Sequence, residues 1–285
     1  MHWPLVSLSV LALHITSSLA AVLPEAKPVT PRLCGSENPP AELLAQAQAF
    51  ATSSSVGPKP QAHAPIVINT YFHVVTTTAN QGKYTQTQLN NQISVLNKSY
   101  SPHSITFKLI STDFTVNNNW ATGNYDSAMK PALRKGNYAD LNVYFLSDLG
   151  DGLLGICNFP ANAPRGSTTF QQDGCDVLAG SLPGGDVANY NQGGSATHEI
   201  GHWFGLFHVF QGQSCSGAGD SVSDTPQQKV ATSGCPSSQD SCPNVAGLDN
   251  IHNYMDYSYD VCYTTFTAGQ ETRMFQMFDM YRAGK

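Results

Sequence analysis

The chain has 285 residues, 41% of them hydrophobic and 12% charged, which is enough apolar material for one sizeable core or two lobes around a cleft and excludes an intrinsically disordered protein. Its formal charge is −6 and its pI about 5.8, with no basic cluster, so neither a nucleic-acid partner nor an anionic membrane surface is expected.

Residues 1–20 read as a signal peptide. An apolar run from Leu5 to Ile15 is followed by small residues at Ser18 and Ala20, where signal peptidase would cut, and the run is shorter than the about 20 residues of a membrane-spanning helix. Secretion to an extracellular, oxidising compartment agrees with seven cysteines, and Asn97-Lys98-Ser99 is the only N-glycosylation sequon, which makes Asn97 a candidate glycan site. Residues 21–65 are rich in Pro and Ala and read as a pro-segment, with a short helical pattern at Ala41 to Phe50 and a linker at Ser53 to Pro60.

A catalytic domain then occupies residues 66–285. Ile66 to Val75 reads as a buried strand, and Thr85 to Tyr100 as an amphipathic helix with Leu89, Ile93 and Leu96 on one face. Ser104 to Val116 and Leu141 to Leu146 are further strands, and a glycine-rich connection, Gly150 to Gly155, opens a loop region running to about Gly185. This is an α+β pattern, a twisted mixed sheet with a backing helix. A second helix is expected from Gly194 to about Leu206, followed by loop-rich chain until a final helix, Thr267 to Arg282, with Met274, Phe275, Phe278 and Tyr281 inward.

The helix at 194 carries the chemistry. His198-Glu199-Ile200-Gly201-His202-Trp203-Phe204-Gly205-Leu206-Phe207-His208 has the form HExxHxxGxxH. Residues four apart share a helix face, so His198 and His202 can present two imidazoles to one zinc ion, with Glu199 beside them. Gly205 is where the chain can leave the helix in a left-handed conformation and bring His208 round as the third ligand. Three neutral ligands leave one position for water, and Glu199 is placed to act as general base and then acid in hydrolysis. A secreted zinc endopeptidase is the leading reading. Its rivals are a non-catalytic extracellular zinc protein, which would not need Glu199, and another zinc amide hydrolase, such as one acting on peptidoglycan.

With Asn253-Tyr254-Met255-Asp256-Tyr257 downstream, the motif resembles the metzincins, whose Met-turn forms a hydrophobic base beneath the zinc; Met255 would be that methionine. Gly205 to Gly212, the segment Gly219-Asp220-Ser221-Val222-Ser223-Asp224-Thr225-Pro226 and the Met-turn look like the pappalysin family, especially its secreted fungal proteases, over about Ile66 to Arg282. The resemblance implies a metzincin-like fold with the active-site helix in an upper lobe and a loop-rich, disulfide-bonded lower lobe ending in a helix. It also implies polypeptide substrates and a supporting catalytic role for Tyr257 at the developing oxyanion; one Zn2+ is expected from the motif, and the chain is expected to act as a monomer.

Four cysteines of the lower lobe permit three connectivities, and spacing alone does not choose. The resembled family has two interleaved bridges here, implying Cys215–Cys242 and Cys235–Cys262, with Cys157–Cys175 left as a third candidate pair. Cys34, in Arg32-Leu33-Cys34-Gly35-Ser36, resembles the cysteine-switch strings of metzincin zymogens, in which a thiolate takes the fourth zinc position. Asp220, Asp224 and Thr225 are candidate calcium ligands, since some relatives carry calcium nearby. Other relatives favour a basic residue after the scissile bond through an acid near the Met-turn. Asp260 is close, but Val261 lies between it and Cys262, and broad specificity is the expectation.

Overall fold

A computed structural model describes residue 1 and residues 34–36, 38–54, 63–124, 126–150 and 152–285. The expected signal peptide falls almost wholly outside the described residues, within a separate unit, Met1–Thr30; everything below concerns the other unit, Pro31–Lys285.

Helix α1, Ala41–Ser54, runs through the whole helical pattern of the expected pro-segment and into the first residues of the expected linker. Strand β1, Ile66–Thr76, is followed by helix α2, Gln86–Tyr100, and strand β2, Ile105–Val116. Helix α2 starts where the sequence provides a cap: the Thr85 hydroxyl accepts from Gln88 N–H while the Gln88 side chain accepts from Thr85 N–H. Leu89, Leu96 and Tyr100 bury its inner face against the sheet, and its polar contacts reach further. Tyr100 donates to Thr197 O at 2.8 Å and Gln92 to Gly193 O at 3.1 Å, which ties α2 to the helix of the zinc motif.

Helix α3, Asp126–Leu133, precedes strand β3, Leu141–Leu146, every residue of which is buried. Beyond it the structure departs from the sequence reading. The stretch expected to be loop contains strand β4, Gly155–Cys157, the short helix α4, Thr168–Gln172, and strand β5, Cys175–Leu178. Strands this short carry no readable alternation, and only pairing defines them. The sheet order is β2-β1-β3-β5-β4, parallel except for the antiparallel edge strand β4. Cys157 lies opposite Cys175 in that last pair, and a disulfide joins them.

Helix α5, Gly194–Trp203, is buried along its entire length, and α6, Ala268–Tyr281, closes the fold with a Thr267–Gln270 capping box. Between them the loops are held covalently: disulfides link Cys215 to Cys242 and Cys235 to Cys262, each spanning 27 residues. The end of α6 is locked to α5 through Arg282, which also forms a buried ion pair with Asp173, between α4 and β5. Arg282 meets both oxygens of Asp173 at 3.0 Å, donates to Trp203 O at 3.2 Å and lies 3.7 Å from the Trp203 ring centre, while the Trp203 indole donates to Asp173. Among the described residues no helix is long and apolar enough to cross a membrane.

Candidate active site

Helix α5 stops three residues earlier than the apolar pattern suggests, and the stop creates the site. Gly205 takes φ +83°, its N–H bonds to His202 O at 2.8 Å, and Leu206 N–H bonds to Gly201 O at 2.9 Å, the paired bonds of a Schellman turn. A side chain at Gly205 would also meet Met277 Cγ at 2.7 Å, so both conformation and space call for glycine. The reversal returns His208 to the face that carries His198 and His202.

The Nε2 atoms of His198, His202 and His208 form a triangle with every side 3.2 Å. Nδ1 of His198 bonds to Tyr254 O at 2.7 Å, and Nδ1 of His202 to Leu206 O at 2.8 Å. A carbonyl only accepts, so each of these nitrogens carries the ring proton and each Nε2 keeps its lone pair for a metal. Zinc–imidazole bonds of about 2.0–2.1 Å in a tetrahedron place ligand nitrogens about 3.3–3.4 Å apart, so the triangle fits zinc. Burial keeps the rings neutral: it pulls His198 down to about 4, and pulls His202 and His208 well below the ordinary histidine value.

Glu199, 1% exposed, lies beside the triangle, and burial pushes its carboxyl up to about 8. Gly155 of β4 makes room for it, since a Cβ there would lie 2.6 Å from Glu199 Oε1. Met255 is fully buried beneath the motif, and the room beneath comes from Gly201, whose missing Cβ would collide with Met255 Sδ. The Met-turn therefore does two things at once: its methionine fills the space under α5, and the carbonyl before it orients His198. The turn is itself anchored by Asp256, which accepts from Thr232 N–H and from the Gln228 side chain, both at 3.0 Å. Tyr257 packs its ring 5.0 Å from His208 and 5.7 Å from His198, half-buried at the mouth of the site.

Cys34 is brought to the same place. Its Sγ lies 3.4 Å from His202 Nε2 and 3.5 Å from Glu199 Oε2, it is 1% exposed, and its sulfur and the three imidazoles offer ligand atoms all within 4.8 Å of one another. Burial and then the Glu199 charge raise its thiol pKa in the absence of a cation. The next residues join the sheet edge. Gly35 N–H bonds to Gly155 O at 2.9 Å, and the Ser36 hydroxyl both donates to Cys157 O and accepts from Cys157 N–H at 2.9 Å, so this segment runs in the same direction as β4.

Asp260 lies at the other end of α5. Its Oδ2 accepts from Gln192 N–H at 2.8 Å and Gly194 N–H at 3.2 Å, capping the helix, while its Oδ1 is buried without a partner in a narrow pocket shared with Glu199, Tyr190, Tyr257 and Tyr263. Asp220 and Thr225 do meet, with Thr225 Oγ1 donating to Asp220 Oδ1 at 2.7 Å. Asp224 turns elsewhere and caps α6, accepting from Thr267 Oγ1 at 2.7 Å and Gly269 N–H at 2.8 Å. Asn97 is half-buried, and its amide bridges the backbone of Phe107, accepting at 2.7 Å and donating at 3.0 Å.

The family model described as pregnancy-associated plasma protein-A, of the M43 peptidases, matches residues 124–279, more than half of the chain. The chain belongs to this family, the pappalysins. An extracellular metalloprotease of Sordaria macrospora is 50% identical over 97% of both chains, and extracellular metalloprotease 1 of Coccidioides posadasii is 52% identical over 98% of this chain and 99% of its own. Among solved structures, a mutant of promirolysin from Tannerella forsythia superposes with a TM-score of 0.66 at 28% identity, over 87% of this chain and 94% of its own. Mature mirolysin in complex with a cleaved peptide gives 0.62 at 29% identity, over 77% and 93%. This pappalysin is a zinc metalloendopeptidase that hydrolyses peptide bonds in polypeptides.

Gly155, Gly201 and Asp256 are the contributors that sequence reading passes over. Gly201 and Asp256 occupied variable positions inside strings already singled out, and Gly155 ended a glycine-rich stretch read only as a connection.

Proposed function

We propose that His198, His202 and His208 hold the catalytic zinc and that Glu199 is the general base. The observation that carries this is the equilateral 3.2 Å triangle of Nε2 atoms with the Glu199 carboxylate beside it. Bound there, zinc supplies Lewis acidity to water and to the scissile carbonyl. Glu199 takes the proton of the attacking water and delivers it to the departing amine. Tyr257, at the mouth of the site, donates to the carbonyl oxygen as negative charge develops on it. Metal analysis with a peptidase assay tests the assignment: the wild-type protein carries one zinc per chain and loses activity to a chelator, whereas Glu199→Ala keeps its zinc and loses at least about 1,000-fold in kcat. Unchanged turnover in that variant would remove Glu199 from the mechanism.

Residues 21–65 are proposed as a pro-segment, 66–285 as the catalytic domain, and the fourth ligand position as the seat of Cys34 in the latent form. Support comes from the thiol's approach to His202 and from the larger share of this chain matched by promirolysin, 87%, than by mature mirolysin, 77%. The apolar run Leu5 to Ile15 followed by small residues, relatives named as extracellular and three disulfides support secretion behind a signal peptide at 1–20. The protein is proposed to act without nucleic-acid or anionic-membrane partners, on its acidic charge, and as a monomer.

The unpartnered oxygen of Asp260 supports a substrate preference narrower than the expected broad one. A lysine or arginine after the scissile bond would bring its cation to a buried carboxylate oxygen that has no other partner. A peptide library with basic residues enriched after the cut, and loss of that enrichment in Asp260→Asn, is the expected result. Calcium at Asp220, Asp224 and Thr225 is supported by the buried, unpartnered Asp220 Oδ2 alone, because Asp224 is committed to α6. Asn97 is proposed to remain unglycosylated, its amide being engaged with Phe107.

A further inference from the structure

Helix α1 carries Leu43, Ala47 and Phe50 at spacings of four and three, which sets them on one face. Leu43 and Ala47 are buried against Phe159, Phe207, Met277 and Tyr281. Arg273 of α6 adds a polar fix, donating to Ala47 O at 3.0 Å. The seat belongs to the catalytic part of the chain and touches the metal centre. Phe207 directly precedes His208, and the Phe159 ring lies 5.7 Å from Phe207 and 5.2 Å from His202. The segment thus has two attachments of different kinds, a thiol with strand-like hydrogen bonds at Cys34–Ser36 and an apolar helix at 41–54.

We propose that the seat formed by Phe159, Phe207, Met277, Tyr281 and Arg273 is a helix-binding exosite whose ligand is α1, and that it retains residues 34–54 after the chain has been cut between α1 and β1. Cutting the connection then does not free the metal centre. A 14-residue helix is marginal by itself in water, so α1 is held folded by its seat. Once α1 leaves, it unfolds and becomes a substrate, which makes release irreversible. While both attachments are in place, each keeps the other at high local concentration, and loss of one leaves the other to rebind. The effect on activity rests on the reading of Cys34 as the inhibitory ligand; the binding of α1 does not.

The test uses the full chain with a site-specific protease sequence placed at residues 55–62, in a Glu199→Ala background so that the fragment survives. After cutting, native mass spectrometry follows retention of the fragment in the parent and in added Cys34→Ser, Leu43→Ala and Ala47→Glu changes. The parent and Cys34→Ser keep the fragment, whereas Leu43→Ala and Ala47→Glu release it at least about tenfold faster. Equal release from the parent and from Ala47→Glu, or undiminished retention in both helix variants, overturns the proposal. The latency reading fails in a different place: with Glu199 intact, uncut Cys34→Ser would be no more active than the uncut wild type.

Discussion

Replacing Gly155 with alanine adds one carbon to the edge strand and directs it at Glu199. The new Cβ would overlap Glu199 Cγ, the nearest atom, and lie 2.6 Å from its Oε1, against about 3.5 Å for unforced contact, so the side chain and its carboxylate have to withdraw by about 1 Å. The backbone at Gly155 is ordinary strand with no positive φ, so alanine is allowed there by conformation, and crowding the buried Glu199 side chain costs about 1–3 kcal/mol. A shift of about 1 Å in a reacting group costs on the order of 100-fold. The expected result for Gly155→Ala is one bound zinc, urea unfolding weakened by no more than about 3 kcal/mol and kcat reduced about 100-fold, with KM little changed. These are read by metal analysis, denaturation and a quenched-peptide assay on the activated enzyme. Wild-type kcat in the variant would show that Glu199 does not work from this position, and a loss of zinc in parallel with activity would show that the strand supports the ligands instead.

Arg282→Met should cost about 3–5 kcal/mol in urea unfolding, because it strands the buried Asp173 carboxylate; a cost below about 1 kcal/mol would mean that Arg134, 3.5 Å from Asp173, replaces it. Asp260 is pushed up to about 6 by burial, against two backbone N–H bonds that lower it. The folded value lies above the unfolded one, about 3.9, so this contribution is fully present below about pH 4 and lost as pH rises through 6. It amounts to about 3 kcal/mol at most. Asp260→Asn should flatten that fall when unfolding is measured between pH 4 and 7, and an unchanged slope would assign the fall to other groups. Replacing Cys235 and Cys262 together by serine opens a 27-residue loop and should cost about 3.5 kcal/mol. A calorimetric scan of the zinc-loaded protein that finds no loss would mean that the loops are held without it.

What could be read from sequence was whatever depends on local spacing. The zinc string sets its own geometry through a 3.6-residue period and one glycine, and α2 and α6 begin beside Thr85 and Thr267 because each has a glutamine three residues on. What escaped depends on pairing between distant segments. Strands β4 and β5 are three and four residues long and are defined by pairing, β5 with β3 and β4 with β5, and the Arg282–Asp173 pair spans 109 positions with no local signature on either side. Cys34 lies between these cases: the residue was visible, but its place 3.4 Å from His202 follows from bonds that Gly35 and Ser36 make to a strand not evident in the sequence.

The outward nitrogens of His198 and His202 are steered by carbonyls from two different sources, the Met-turn and the chain just past Gly205. The ring of His198 is thus set by a carbonyl 56 positions away, inside the loop that the Cys235–Cys262 disulfide closes, whereas the carbonyl that sets His202 lies within the zinc string itself.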